Sequence, residues 1–399
     1  MLGSLMGLLS LVLLVLAVPL ATAAVVLFVE IVVATFSKPK IYDLSDERPS
    51  VVVLVPAHDE SRGILPTLED AKSQLRPGDR LLVVADNCTD DTAAVAKMAG
   101  AQVIARRNDN ERGKGYALDF GIRSLRDNDP EIVVIVDADC RLEPGAIDRL
   151  ARTCGATGRP VQALYLMSAP DQTALNHAIA EFAWRIKNDL RPRGLAALGL
   201  PCQLLGSGMA FPRQVFSVVD VATGHLTEDL DLGLQLARAG YAPLFCPGAV
   251  VRSVFPSRET DIATQRQRWE HGHLSVLVGR VLPSVWAGVR HRNWRLLALG
   301  LDAGVPPLVL LAVLSTAVCL ASLLGWLAGA GNAALIISLI GLGLLGVALG
   351  LAWMACGRDL LTGPALSSLL PYLKMKAGVY ARAFAANKKW TRTGRGETP

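Results

Sequence analysis

Apolar residues gather towards the two ends of the chain, while the middle alternates short apolar runs with amphipathic stretches. From Leu5 to Val33 only Glu30 and a few small polar residues interrupt an apolar run. As a helix that run would reach about 43 Å, more than the roughly 30 Å hydrocarbon core of a bilayer. Tilt, or a kink at Pro19, is expected to absorb the excess. Val305 to Leu327 and Ala333 to Ala355 each offer a further spanning length, joined by the uncharged link 328–332. Leu360 to Leu373 is too short and too Pro-interrupted to span, and reads as an interfacial helix.

The middle has a different rhythm. Val51 to Val55, Leu81 to Ala85, Val103-Ile104, Ile132 to Val136 and Val161 to Met167 are short apolar runs with the character of buried strands. Ile64 to Leu75, Thr92 to Ala99 and Lys114 to Leu125 have helical spacing between them. Continuous apolar strands separated by helices imply a mostly parallel sheet covered on both faces, an α/β fold. Ligands of such sheets bind beyond the carboxyl ends of the strands. The polar residues placed there are His58-Asp59-Glu60, Asp86-Asn87 and Asp137 with Asp139. Neither a GxGxxG nor a GxxxxGK[ST] fingerprint is present, which removes the signatures of dinucleotide and P-loop sites.

Composition and charge add the setting. Hydrophobic residues are 51% of the chain, which excludes disorder and fits partial lipid embedding. The formal net charge of +5 owes much to the tail from Lys374 to Arg395, which holds seven Lys or Arg and no acid. Beside apolar spans this marks a cytoplasmic flank rather than nucleic-acid binding. Arg280, Arg290, Arg292 and Arg295 precede the first C-terminal span, so both the central domain and the C-terminus are expected in the cytoplasm. Ala21-Thr22-Ala23 resembles a signal cleavage site, but no Lys or Arg precedes Lys38 and the apolar run continues past it. An anchor is therefore expected. The cysteines are odd in number, with no CxxC spacing, so neither a disulfide framework nor a zinc site is expected.

Several short constellations carry chemistry. Asp137 and Asp139 lie two apart where an apolar strand ends, so both carboxylates can reach one hard cation, Mg²⁺ or Mn²⁺, and its phosphate ligands. Arg112-Gly113-Lys114-Gly115 opens a helix, where a cation, small residues and the helix dipole together favour a phosphate. Thr227-Glu228-Asp229 begins another helix. Thr227 suffices as a cap with the acids complementing the dipole, and a carboxylate here could also serve as a general base. In Gln265-Arg266-Gln267-Arg268-Trp269 the Arg can grip diphosphate and the Trp can stack on a sugar face. The same segment also reads as an amphipathic helix at the bilayer surface. His271 and His273 share no helix face and read as interfacial.

In this order, from Val51 to Trp269, these elements resemble the family 2 glycosyltransferases, the inverting GT-A class that includes cellulose, chitin and hyaluronan synthases. The resemblance implies a Rossmann-like GT-A domain with transmembrane helices at both ends. It assigns Pro56, His58 and Glu60 to the nucleotide loop, Asp86 to the base and Lys114 to the nucleotide. Asp137 and Asp139 match the DxD, with Asp139 as the direct metal ligand. Gly206-Ser207-Gly208 resembles a small-residue strand lining the acceptor site, and Asp229, beside Glu228, matches the catalytic base of TED. Gln265, Arg268 and Trp269 match QxxRW, placing Arg268 on the donor and Gln265 and Trp269 on the acceptor. By resemblance the reaction is a single displacement. The acceptor hydroxyl gives its proton to Asp229, while the metal, Lys114 and Arg268 stabilise the departing nucleoside diphosphate, UDP by family habit.

The expected organisation is an anchor over 1–36, a GT-A domain over 48–255, QxxRW and interfacial helices over 256–295, two spans over 303–357, and an interfacial helix with a basic tail over 358–399. The implied partners are a nucleotide sugar, a saccharide or lipid-linked acceptor and membrane lipids. Two C-terminal spans cannot easily enclose a pore in one subunit, so a short product, a homo-oligomeric pore or a single addition to a lipid, as in glycolipid glucosyltransferases, are all open. A transporter is disfavoured because Glu30 and Asp302 sit near span ends as isolated charges. An inactive nucleotide-sugar-binding scaffold is disfavoured because Asp137, Asp139 and Asp229 are all retained.

Overall fold

The computed structural model describes residues 2–38, 47–125, 130–170, 175–224, 228–255 and 277–362. An eight-stranded mixed sheet forms the centre. Its strands are β1 (Val51–Ala57), β2 (Arg80–Asp86), β3 (Gln102–Arg106), β4 (Ile132–Ile135), β5 (Arg141–Leu142), β6 (Val161–Ser168), β7 (Met209–Pro212) and β8 (Leu244–Val254). Their spatial order is β3-β2-β1-β4-β7-β6-β8-β5. The first four strands pair in parallel, β7 runs antiparallel to both β4 and β6, and β6 pairs parallel with β8.

The period-2 alternation of the apolar strands divides the core into two layers. Val51, Val53, Val55, Leu81 and Val83 pack on α2 (Ile64–Lys72), α3 (Thr92–Met98) and α5 (Ala146–Thr157). Val52, Leu54, Leu82 and Val84 face the other way, onto α4 (Lys114–Arg123) and α8 (Glu228–Arg238). Burying β1 completely on both faces is what a continuous Val/Leu run permits. The five strands expected from sequence are present. β5, β7 and β8 lie beyond that reading, because β5 and β7 are only two and four residues long and β8 contains Pro247-Gly248 where its pairing with β6 shifts register.

α1 (Leu2–Phe36) runs unbroken through Pro19. It packs against α11 (Leu308–Leu327) and α12 (Ala333–Cys356), and all three are long and apolar enough to cross a membrane. Beneath them lies a continuous helical ledge of α6 (Leu175–Arg185), a π-helical turn (Ile186–Leu190) and α7 (Arg191–Ala197). Ala178, Ile179, Phe182, Ile186 and Leu190 of the ledge share one apolar cluster with Leu27 and Ile31 of α1 and with Ala348 and Ala352 of α12. Gly194 lets α7 touch α1, since a Cβ there would lie 2.0 Å from the Glu30 carbonyl oxygen. Two amphipathic helices, α9 (Leu282–Arg290) and α10 (Trp294–Ala303), connect α8 to the spans.

The charges that look isolated in sequence are paired here. Arg191 Nε donates to Glu30 Oε2 at 2.8 Å, Arg191 Nη2 donates to the Asp302 carbonyl at 2.6 Å, and Gln203 Nε2 donates to Asp302 Oδ2 at 2.8 Å. All four side chains are buried. This Glu30–Arg191–Asp302 triad joins the first apolar helix to the ledge and to α10.

Candidate active site

The carboxyl ends of β1, β2 and β4 lie on neighbouring strands, where an α/β sheet is expected to bind its ligand, and the first residues of α4 and α8 come to the end of β4. Strand β1 carries Pro56 into its last turn, and His58 Nδ1 lies 2.7 Å from the Asp86 carbonyl, closing the β1 loop on the end of β2. Asp59 holds φ +53° and accepts the Thr89 N–H at 2.6 Å, which shapes the loop. The Glu60 N–H donates to Thr92 Oγ1 at 2.8 Å. Asp86 is buried, and its Oδ1 accepts Arg106 Nη1 at 2.8 Å, while Arg106 also holds Glu111. The acid that resemblance assigned to the base thus already has a cationic partner on the neighbouring strand.

Helix α4 begins at Lys114 after Gly113. Gly115 is required by packing, since a Cβ there would lie 2.4 Å from the Thr223 carbonyl oxygen. Lys114 Nζ pairs with Asp137 and donates to the Gly206 carbonyl at 2.6 Å. Burial works to lower the Lys114 pKa, but Asp137, Glu228 and Asp229 outweigh it and hold the ammonium well above its usual range.

Asp137 and Asp139 flank the turn after β4. The Asp137 N–H donates to Ser207 Oγ at 3.0 Å, Ser253 Oγ donates to Asp139 Oδ2 at 3.2 Å, and Thr67 Oγ1 donates to the Ala138 carbonyl at 2.8 Å. Asp137, Asp139 and Cys140 each offer a ligand atom within 4.8 Å of the others. Cys140 is fully buried, and burial, with the two aspartates, pushes its thiol well up. The partly exposed carboxylates are therefore the donors that suit a hard Mg²⁺ or Mn²⁺.

Gly206 and Gly208 adopt φ +90° and +67°, so Gly206-Ser207-Gly208 is a turn leading into β7 rather than a strand. Only Gly206 faces the acids: a Cβ there would lie 3.4 Å from Asp229 Oδ2 and 3.7 Å from Lys114 Nζ. Ser207 is fully buried under Asp137, and Gly208 packs on Val251 and Ala163. Gln162, buried within β6, fastens this turn by donating to the Ser207 carbonyl and accepting the Leu205 N–H, at 2.9 and 2.8 Å. Glu228 and Asp229 open α8. Burial, then the Asp229 charge, raises the Glu228 carboxyl to about 7 against the pull of Lys114. Thr227, Gln265, Arg268, Trp269, His271 and His273 lie outside the described residues.

Sequence reasoning did not find Gln162, Ser253, Thr67 or Arg106. A buried Gln inside an apolar strand is the one local signal among them. The others are hydroxyls and a cation whose importance rests on distant partners. Lys187 on the π-turn is also new, and stands over the Trp184 ring at 6.0 Å.

Comparison with known proteins agrees with this geometry. The family profile described as "Glycosyltransferase like family 2" matches residues 49–272. The "Probable glycosyltransferase YdaM" of Bacillus subtilis is 25% identical over 258 residues, 60% of this chain and 59% of that protein. An uncharacterized glycosyltransferase of Mycobacterium tuberculosis is 35% identical over 101 residues, 25% of this chain and 42% of its own. The chain thus spans about half the length of the curated relatives it matches. Among solved structures, a mannosyltransferase of Pyrobaculum calidifontis in complex with GDP-Man and Mn²⁺ aligns with TM-score 0.53 and 17% identity, covering 94% of this chain and 97% of that one. Family match and fold together establish that this chain belongs to the family 2-like glycosyltransferases and carries their GT-A domain, with apolar helices on both sides of it.

Proposed function

We propose that the protein moves a sugar from a nucleotide diphosphate sugar, UDP-linked by family preference, to a saccharide or lipid-linked acceptor at the cytoplasmic face of a membrane. The reaction is inverting, so an α-linked donor gives a β-glycoside. One observation carries the reading: Lys114, Asp137, Glu228 and Asp229 converge around the Gly206 backbone, beside Asp139.

Asp139 and Asp137 would hold the divalent ion, which supplies Lewis-acid neutralisation of a diphosphate. Lys114 contributes a fixed cation near the same carboxylate, suited to a leaving group that gains negative charge. Asp229 is the base. The acceptor oxygen forms a bond to the anomeric carbon as the bond from that carbon to the diphosphate oxygen breaks, and the acceptor proton passes to Asp229. Glu228, whose pKa lies near 7, buffers the charge beside the base. Outside the described residues, Arg268 would add to the grip on diphosphate, and Gln265 and Trp269 would line the acceptor mouth, as the family motif implies. Three apolar helices and the ledge beneath them support a membrane-borne site. The proposed domain limits remain 1–36, 48–255, 256–295, 303–357 and 358–399.

The test is turnover of a panel of nucleotide sugars by purified full-length protein in detergent with Mg²⁺ or Mn²⁺, products being resolved by mass. Transfer or hydrolysis of one donor supports the reading. Nucleotide binding without any turnover across the panel would favour the inactive scaffold instead.

A further inference from the structure

The helix hairpin α9–α10, joined by the turn 291–293, carries both exposed apolar residues and unpaired cations. Leu282, Trp286 and Val289 follow at spacings of four and three, so they share one face of α9, and they are 59%, 67% and 54% exposed. Trp294, which opens α10, is 67% exposed. Residues 277–303 hold four arginines and one acid. The acid, Asp302, is held by Arg191 and Gln203, and Arg280 pairs with Asp231 of α8 at 3.1 Å. Arg290, Arg292 and Arg295 are exposed, with no carboxylate within salt-bridge distance among the described residues.

The opposite face of the hairpin is committed to the protein. Ser284 is buried and accepts Arg238 Nη2 of α8 at 2.9 Å, and Asn293 Nδ2 donates to the Ala237 carbonyl at 3.2 Å. Leu296 and Leu299 of α10 share an apolar cluster with Leu230 and Leu234 of α8. Gly288 lets α9 and α10 cross closely, since a Cβ there would lie 2.7 Å from the Leu297 nitrogen. The hairpin is thus fixed on one side and bare on the other.

Its place in the fold says what lies opposite the bare side. α10 ends at Ala303 and the apolar helix α11 begins at Leu308. Arg191 bridges Asp302 of α10 to Glu30 of α1. The hairpin therefore leaves the spans at the end that carries the sheet domain, where a bilayer presents its headgroups. Exposed Trp and aliphatic side chains beside arginines suit the boundary between acyl chains and headgroups. Three uncompensated guanidinium groups within six positions favour a surface of net negative charge.

We propose that the α9–α10 hairpin docks on the bilayer and gathers anionic phospholipid, its apolar face entering the headgroup boundary while Arg290, Arg292 and Arg295 hold the negative headgroups. This rests on the membrane-borne reading above and not on the choice of donor or acceptor. Because the hairpin packs on α8, which opens with Glu228 and Asp229, docking ties the helix of the candidate base to the bilayer surface.

The experiment places the full chain in phosphatidylcholine nanodiscs that contain either acyl-brominated phosphatidylglycerol or acyl-brominated phosphatidylcholine at one mole fraction. Bromine quenches tryptophan only at close range, and the signal of Trp286 and Trp294 is the difference between wild type and the double variant Trp286→Phe/Trp294→Phe. At about 0.1 M salt the brominated phosphatidylglycerol is expected to quench that signal at least twofold more than the brominated phosphatidylcholine. At about 1 M salt the excess is expected to vanish, because the screening length falls from roughly 10 Å to 3 Å. The triple variant Arg290→Gln/Arg292→Gln/Arg295→Gln is expected to lose the excess and keep the quenching by phosphatidylcholine. The salt series on wild type decides the same point if the triple variant fails to fold. An unquenched Trp286 and Trp294 signal overturns the docking. Equal quenching by the two lipids at low salt, or an excess that survives in the folded triple variant, overturns the recognition of anionic lipid by these arginines. No quenching of any tryptophan, including Trp326 and Trp353 of the apolar helices, would instead sink the membrane reading itself.

Discussion

Arg191 donates to Glu30 across 2.8 Å, joining the helical ledge to the first apolar helix. Both side chains are buried, so each neutralises a charge that would otherwise stand alone away from water. Arg191→Met is expected to destabilise the protein by about 3–5 kcal/mol, the usual cost of leaving one member of a buried pair unmatched. Replacing Glu30, Arg191 and Asp302 together by apolar residues should recover much of that loss. Thermal unfolding of the detergent-solubilised protein checks both outcomes.

Gly206 holds φ +90° and separates the Asp229 carboxylate from Lys114. A methyl group there meets a costly backbone conformation and ordinary contact distances, so Gly206→Ala is expected to lose about 1–2 kcal/mol of stability. Transfer should fall by at least tenfold, because a side chain strains the left-handed turn and shifts the Gly206 carbonyl to which Lys114 donates. Melting and initial rates on the same preparation separate the two effects.

Burial and the neighbouring Asp229 charge raise the folded-state Glu228 carboxyl to about 7 from its ordinary 4.5, so the folded protein binds the extra proton between those values. Stability of the metal-free protein should therefore be greatest below pH 4.5 as far as this group is concerned, and fall as pH rises through 7. The side chain is partly exposed, which limits the effect to roughly 1–2 kcal/mol. Glu228→Gln should flatten the decline measured by thermal midpoint between pH 5 and 8.

Much of the GT-A domain was legible because its strands are uninterrupted apolar runs buried on both faces, as in Val51–Val55. β8 was not, because Pro247-Gly248 breaks its apolar pattern at a register shift. Asp137, Asp139, Lys114 and Asp229 could be picked out as strand-end or helix-start residues. Their supports could not. Gln162 reaches Leu205, Ser253 reaches Asp139 and Thr67 reaches Ala138 only through the folded chain, and a side chain that works across 43 to 114 positions leaves no local pattern. Glu30 and Asp302 misled for the same reason: each is a lone acid beside an apolar run until Arg191 is placed between them.

Chelation should abolish transfer and weaken donor binding, and added Mn²⁺ or Mg²⁺ should restore both. Asp139→Asn should reproduce the chelated state even with metal present, since it removes a carboxylate charge from the cation's donor set. Calorimetry of nucleotide binding with and without metal checks this.

The central claim is that Asp229 takes the acceptor proton, and Asp229→Asn tests it most directly. The variant keeps the side chain's shape beside Gly206 while removing its basicity. The measurement is transfer rate and donor-nucleotide affinity on the same purified protein. The account predicts a loss of about 10²–10⁴-fold in transfer, the usual share of general-base catalysis, with donor affinity within a few-fold of wild type. Transfer within tenfold of wild type would contradict it and remove Asp229 from the base role.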